Sequence, residues 1–452
     1  MRPTRVEEIL AFFGLRVLMG LSWTANYKDY WSCKHGIRNE LICETMTRTR
    51  FEHLTSNLAC TFPDENPNQV FRDNKVERKK YKDAHPLWPL QSTWDAVRAA
   101  CQDKTHYQPR RELSLDEAMI GYKGNKSWVK KMWLKGKPTP WGFKCYVIAE
   151  AATGFAIELI MHPNEKITIS DLVKQVSAPI LDENHHIFAD RYFNKAELAR
   201  WLLSRNTYLT GPVKEASKGF PVDFISKAAK NPTFYKRMKA LQDGDRGCFH
   251  MRQSGQLTAT AWKDRRVIVM MSSAHQPQRD ADDFVMRTVQ GHGKCPVPAP
   301  PHVVDYNQFM GGVDRSDQLR EYYSCSRKTQ QWWRHILTFL IDIARVNAYV
   351  CAKEHRPRLK QRDFCHSLAI ELIGGFSEGS ARALPPFLQR VPAGAGGHYM
   401  TKMPGNYPRS CANCRLNNIY RPCGKRPRSS YGCTTCNQYL CRDHCFVEYH
   451  SL

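Results

Sequence analysis

The chain has 452 residues and carries 67 Lys and Arg against 43 Asp and Glu, a formal net charge of +24 at neutral pH. With 42% hydrophobic and 24% charged residues it has the composition of folded protein, which excludes wholesale disorder, and its length predicts two to four packing units. Glu7, Glu8 and Arg16 interrupt the N-terminal segment, and Asp342 and Arg345 interrupt the most apolar later stretch, Ile336 to Val350. Neither reads as a signal peptide or a bilayer span, so no membrane partner is expected. The excess of positive charge predicts a polyanionic partner, nucleic acid first among them.

The first hundred or so residues read as helical. Leu10, Phe13, Val17 and Leu21 recur at helical spacing and predict one apolar stripe. Further on, the apolar runs Cys145–Ala149 and Phe155–Ile160 flank Ala151-Ala-Thr-Gly154 and predict a hairpin. His186–Ala189 predicts a short strand, and Lys195 to Ser204 a helix with Leu198, Trp201 and Leu202 on one face. Strands alternating with helices predict an α/β domain. The stretch from about Ile225 to Pro301 is mixed and loop-rich, with Val267–Met271 its clearest strand. Gln330 to Ala352 returns to a helical pattern in which Trp332 and Trp333 read as core, because Ile336, Leu337 and Leu340 continue an apolar face. Pro392-Ala-Gly-Ala-Gly-Gly397 has the composition of a flexible linker.

The tail places Cys411, Cys414, Cys433, Cys436, Cys441, Cys445 and His450 at metal-ligand spacing. A Cys-x2-Cys turn lets both thiolates reach one ion, and Zn²⁺ takes S and N donors tetrahedrally. Seven ligands and an eighth would make two sites; His444, His398 or Cys423 could supply the eighth. Between the knuckles, Lys425, Arg426 and Arg428 would contact phosphate, serve as a nuclear import signal, or form a solvated basic loop. The basic text from Lys123 to Lys137, with Lys126, Lys130, Lys131 and Lys135, has Trp128 and Trp133 interleaved. Cations there would neutralise phosphates while an indole stacks on an unpaired base, or the same residues form a solvated strand face with core tryptophans.

Four acids stand out in so basic a chain. Asp116 lies in a predicted strand, Asp190 ends the His186–Ala189 strand, and Asp314 and Asp317 lie three apart in Met310-Gly-Gly-Val-Asp-Arg-Ser-Asp317. Carboxylates converging from separate elements hold Mg²⁺ in phosphodiester chemistry.

The words around these acids resemble the piggyBac family of DNA transposases and their host-retained derivatives. The similar blocks are Phe12-Phe-Gly-Leu15, Tyr30-Trp31, Arg48-x-Arg-Phe51, Ser114-Leu-Asp-Glu117, Tyr122-Lys-Gly124, Lys137-Pro138 and Trp141-Gly-Phe-Lys144. They continue with Asp190-Arg-Tyr-Phe193, Trp262-Lys-Asp264, Tyr306-Asn307, Met310-Gly-Gly-Val-Asp314, Asp317-Gln318, Trp332-Trp333 and Cys441-x3-Cys-Phe446-x2-Tyr-His450. The resemblance implies an RNase H-like α/β catalytic core with an inserted region, flanked by an α-helical dimerisation and DNA-binding domain, and a small C-terminal zinc-binding cysteine-rich domain. It places the helical domain at 1–112 and 321–390, the core at 113–225 and 301–320, the insertion at 226–300, a linker at 391–404 and the zinc domain at 405–452. It further implies Asp116, Asp190 and Asp314 as catalytic ligands of Mg²⁺ or Mn²⁺ with Asp317 as accessory acid, cleavage at transposon ends and strand transfer into TTAA target DNA. The implied partners are double-stranded DNA, a second copy of the chain as homodimer and chromatin, in the nucleus. The alternative is a host-retained DNA- or chromatin-binding protein that no longer cuts. The chain begins inside the helical flank, without the family's acidic leader, and so reads as a fragment or a truncated gene product.

Overall fold

The computed structural model describes residues 3–32, 37–137, 139–214, 217–221, 224, 232–280, 283–289, 291–378, 400–403, 408–417, 419, 426–433, 436–442 and 445–450. Residues 1–15, 24–57 and 369–452 form one compact unit, and residues 16–23 and 58–368 a second.

The first hundred residues are helical, as their pattern predicts, beginning with α1 (Val6–Leu21), α2 (Glu40–Thr45) and α3 (Arg48–Asn57). The apolar stripe differs from the predicted one. Phe12, Leu15 and Met19 are fully buried, whereas Leu10 is 44% exposed. From Ile9 onward α1 is apolar nearly all round, so spacing alone does not select the face that packs. Within the first unit Phe12 meets Phe51, ring centroids 5.0 Å apart. The buried Glu8 carboxylate accepts two hydrogen bonds from the Arg50 guanidinium, at 2.8 and 2.7 Å.

The second unit continues with α4 (Pro67–Val70), α5 (Lys75–Ala84) and α6 (Gln91–Gln102) and then builds a nine-stranded sheet. Its strands are β1 (Glu112–Gly121), β2 (Lys131–Trp133), β3 (Trp141–Glu150), β4 (Ala156–Met161), β5 (His186–Ala189), β6 (Tyr208–Pro212), β7 (Phe249–Ser254), β8 (Leu257–Lys263) and β9 (Val267–Ser272). They lie in the order β2-β3-β1-β5-β6-β9-β8-β7, with β4 also paired to β3. β1, β5 and β6 are parallel neighbours, and β3 and β4 run antiparallel to one another and beside them. The predicted hairpin is β3–β4, turned at Gly154, whose φ of +77° suits a residue without Cβ. The strand His186–Ala189 and the helix α8 (Ala196–Leu203) also form where their patterns place them, α8 following α7 (Ile169–Ser177) and preceding α9 (Pro232–Asp243).

The two faces of the sheet are covered differently. α7 and α8 pack Leu172, Val173, Leu198 and Leu202 against Leu113, Leu115, Ile148 and Ile187. The opposite face carries Ala118, Ile120, Phe143 and Val147, packed with Trp94 of α6. Three further helices follow β9 and a two-stranded hairpin of β10 (Asp283–Val289) and β11 (Gly293–Ala299): α10 (Pro301–Phe309), α11 (Gly312–Tyr322) and α12 (Trp332–His355). Trp332, Ile336 and Leu340 of α12 join Trp94 on that face, so Trp332 is core, as its spacing predicts. α12 is long and apolar enough to cross a membrane by length and composition alone. It instead packs on the sheet and buries Asp342, Arg345 and Asn347. Asn347 docks it on β4, accepting from the Ala156 N–H at 2.9 Å and donating to the Ala156 carbonyl at 2.8 Å.

The region expected as an insertion is only partly separate. β9 pairs with β6, Thr210 opposite Ser272, so β7, β8 and β9 extend the core sheet, leaving β10–β11 as a hairpin of its own. β6 would otherwise present an open edge of unpaired backbone groups, and β9 satisfies it.

Beneath α10 the unit buries histidines. His302 is fully buried with both ring nitrogens lacking a hydrogen-bond partner among the described residues. His186 shares a 2.7 Å hydrogen bond with Thr210 Oγ1. Burial lowers both to about 3. An unfolded histidine titrates near ~6.5, so between about pH 6.5 and about 3 the unfolded chain takes up protons that the folded chain refuses. Stability is therefore level above that window and falls on acidification by about 1.4 kcal/mol per pH unit for each histidine. His302→Leu should reduce this slope by about one proton, read from chemical denaturation at several pH values. An unchanged slope would remove His302 from the account.

Candidate active site

β1 and β5 are parallel neighbours with Leu115 opposite Ala189, so Asp116 and Asp190 occupy the next, equivalent position on adjacent strands. Asp190 stands at the carboxyl end of β5, where the chain turns; its Oδ1 accepts the Tyr192 N–H at 2.7 Å. Asp116 Oδ1 accepts the Glu117 N–H at 2.7 Å. Tyr306 of α10 reports both acids: burial raises its phenol, and the charges of Asp190 and Asp116 raise it further.

Asp314 and Asp317 come from α11, which lies on the face of β1 that carries Ser114 and Asp116. Ser114 Oγ donates to the Met310 carbonyl at 2.7 Å, just before this helix. Gly312 is required by space: a Cβ there would sit 2.9 Å from the Glu150 carbonyl oxygen and 2.9 Å from Ser114 Cβ. The start of α11 thus approaches β1 more closely than any side chain allows. Asp314, in its first turn, is exposed. Asp317 is part-buried, raised by burial and opposed by Arg320, whose Nη2 is 3.3 Å from its Oδ1. The four acids therefore lie on elements packed together. Among the described residues, however, no three of them form a group whose ligating atoms all lie within 4.8 Å of one another.

Burial pushes Asp116 up to about 7, against the opposing charge of Lys137. The Lys137 ammonium is 4.0 Å from Asp116 Oδ2 and donates to the Glu117 carbonyl at 3.1 Å. In the sequence Lys137 reads as one of the DNA contacts, and its place beside Asp116 is not visible there, because a lysine in a basic stretch carries no mark of its neighbour. Nor is that of the buried Lys144, whose ammonium donates to Glu117 Oε1 at 2.5 Å and lies over Tyr146 and Tyr192.

The lysine-rich segment divides. Lys123, Lys126, Lys130 and Lys135 are exposed. Lys131 donates to the Gly124 carbonyl at 2.8 Å and lies over Trp141, 5.1 Å from the ring centre. Trp128 is half-buried against the sheet's core, with Lys82 over its ring. Trp133 stands opposite Trp141 across β2 and β3, and the two are 51% and 46% exposed. The exposed indole pair is thus Trp133 and Trp141 rather than Trp128 and Trp133.

In the tail, Cys411, Cys414, Cys441 and Cys445 bring four sulfurs within 4.8 Å of one another. Cys414 Sγ is 3.4 Å from Cys445 Sγ and 3.9 Å from Cys441 Sγ. Zn–S bonds of ~2.3 Å set tetrahedral sulfurs about 3.8 Å apart, so this set fits Zn²⁺. Burial would raise the Cys411 thiol, but N–H groups of Cys414 and Cys441 reverse the shift and lower it; the Cys441 N–H lies 3.2 Å from its sulfur. Burial raises Cys414 and pushes Cys441 up to about 12. The first knuckle therefore meets the last two cysteines and skips the second. Cys433 and Cys436 stand apart from that set, the Cys436 N–H 3.4 Å from Cys433 Sγ. His398, Cys423, His444 and Lys425 lie outside the described residues, as does the side chain of His450. Arg426 is part-exposed and Arg428 exposed. Residues 400–402, inside the expected linker, form a strand, β12 (Met400–Lys402), paired with β15 (Tyr431–Cys433), two short strands at Arg409–Ser410 and Arg428–Ser429 lying between them in the chain. Met400 packs with Leu440 and Phe446 in the module's small core, so the module begins before residue 405.

A profile of the family described as Transposase IS4 matches residues 1–349. PiggyBac transposable element-derived protein 3 of Homo sapiens is 24% identical over 464 residues, covering 98% of this chain and 70% of that protein. PiggyBac transposable element-derived protein 2 of Homo sapiens is 24% identical over 361 residues, covering 76% of this chain and 55% of that protein. A cryo-EM structure of the piggyBac transposase synaptic complex with hairpin DNA superposes with a TM-score of 0.68, covering 98% of this chain and 87% of that one at 21% identity, and so shares its fold. This chain belongs to the transposase IS4 family, and within it to the piggyBac type.

Proposed function

We propose that the chain is a Mg²⁺-dependent DNA transposase with an RNase H-like catalytic core, which cleaves at transposon ends and joins the freed 3′-hydroxyl to TTAA target DNA. The observation that carries this is the placement of Asp116 on β1 and Asp190 immediately after the parallel neighbour β5, each one residue beyond the Leu115–Ala189 pair. The strand order β4-β3-β1-β5-β6, in which β3 alone runs opposite to the other four, supports the RNase H-like assignment.

In this scheme Asp116, Asp190 and Asp314 hold the metal, and Asp317, one helical turn from Asp314, is an accessory acid. The donor set fits Mg²⁺: all are hard carboxylate oxygens, and burial holds Asp116 near about 7 until a cation joins it. When bound, two Mg²⁺ (or Mn²⁺) ions supply activation of the attacking hydroxyl and stabilisation of the leaving oxygen. Lys123, Lys126, Lys130 and Lys135 neutralise the backbone of the bound duplex, and Trp133 with Trp141 offers stacking area for a base unpaired at the end being cut. The zinc module, with Arg426 and Arg428, is a second DNA or chromatin contact. We assign the working form to a homodimer in the nucleus. The human relatives are named as transposable element-derived proteins, which keeps a host-retained DNA or chromatin binder as the second candidate.

The test is strand transfer. Purified protein, a pre-cleaved end from the element's own flanks, Mg²⁺ and a plasmid target should give joined products at TTAA. Tight end binding without any joining would leave the binder as the function.

A further inference from the structure

Lys137 has a place that phosphate binding does not explain. It lies between β2 and β3, on the turn that joins the exposed Trp133 and Trp141. Its side chain, 32% exposed, points inward rather than to solvent, with Nζ 4.0 Å from Asp116 Oδ2 and 3.1 Å from the Glu117 carbonyl oxygen. Lys135, two residues earlier on the same turn, is exposed instead. The positive charge of Lys137 also bears on Asp317. One ammonium thus faces Asp116, which the proposed function assigns to divalent metal, and its charge also reaches the accessory acid on α11.

We infer that Lys137 is an internal counter-ion that competes with the divalent metal for Asp116, so that metal binding displaces it and releases the β2–β3 turn toward DNA. This rests on the proposed catalytic function. An ammonium beside a carboxylate repels a hard divalent cation bound to that same carboxylate, less where water screens the two charges. The freed ammonium, strongly hydrated and on a flexible stem, would meet a phosphate beside the site. The turn that presents the indole pair would then be held down when metal is absent and available when it is present.

Mn²⁺ alone is the probe, titrated into the full-length, zinc-loaded protein without DNA, with free Mn²⁺ read by electron paramagnetic resonance. Lys137→Met should bind Mn²⁺ about tenfold more tightly than wild type, and Lys137→Arg no more tightly than wild type. Lys135→Met, which removes the same charge from the same turn, should change affinity little. The gain should vanish in the Asp116→Asn/Lys137→Met double variant. Unchanged or weaker Mn²⁺ binding by Lys137→Met, or an equal gain in Lys135→Met, would overturn the inference. Mn²⁺ binding to neither wild type nor Lys137→Met would instead remove the catalytic function on which it rests.

Discussion

Asp116→Asn should abolish metal-dependent strand cleavage, by three orders of magnitude or more, while leaving DNA affinity within about twofold. The substitution preserves shape and removes the charge from a carboxylate that burial pushes up to about 7. In the proposed function affinity for DNA comes from exposed lysines on other segments, so it should survive. Asp190→Asn and Asp314→Asn should behave alike, the first because it occupies the equivalent position on the next strand. Asp317→Asn should be milder. Asn also lifts the cost of holding a buried ionised carboxylate. A raised folded value means stability is lost as pH rises from about 4, the ordinary aspartate range, to about 7, and the Asn protein should escape that loss. Denaturation curves at pH 5 and pH 8 check this beside the cleavage assay. Undiminished cleavage by the Asp190→Asn protein would refute the assignment.

The second large effect is expected in the tail. Stripping metal should unfold the cysteine-rich module, because its core is small: Met400, Leu440 and Phe446 with the cysteines themselves. A structural zinc supplies about 10–16 kcal/mol in comparable small modules, far more than such a core. Cys414→Ser should remove one zinc, since its sulfur lies within 3.9 Å of two other ligands of the four-cysteine set. Cys433→Ser should remove the other. Zinc released from the full-length protein, measured colorimetrically, should be two per chain in the wild type and one in each variant. Fewer than one in the wild type would contradict both sites. Affinity should fall on acidification, because the Cys414 and Cys441 thiols, raised by burial, must lose protons to bind.

Local pattern made part of the fold legible. The β3–β4 hairpin, β5, α8 and α12 follow from runs of apolar residues whose period matches the element formed. What depends on distant pairing was not legible. Nothing local in Val267–Ser272 says that it pairs with β6, yet that pairing joins the expected inserted region to the core sheet. Met400–Lys402 is too short to announce a strand, and its partner lies beyond the first knuckle. In the site, strand periodicity placed Asp116 and Asp190, but their alignment needed the β1–β5 register. Cysteine spacing predicted zinc ligands; which knuckle joins the last two cysteines is a property of the folded module. Of the tryptophans, Trp128 and Trp133 looked alike in sequence and differ in burial, because one faces the core and the other stands opposite Trp141 at the sheet's edge.

The central claim is that carboxylates on β1, β5 and α11 hold divalent metal to cut DNA. Its most direct measurement is cleavage of an end-labelled duplex carrying the element's terminus and flank, with purified wild-type protein in Mg²⁺ and in EDTA. A single break at the element's 3′ end, leaving a 3′-hydroxyl, is expected in Mg²⁺ and none in EDTA. Specific binding to that terminus with no break in Mg²⁺ or Mn²⁺ would contradict it.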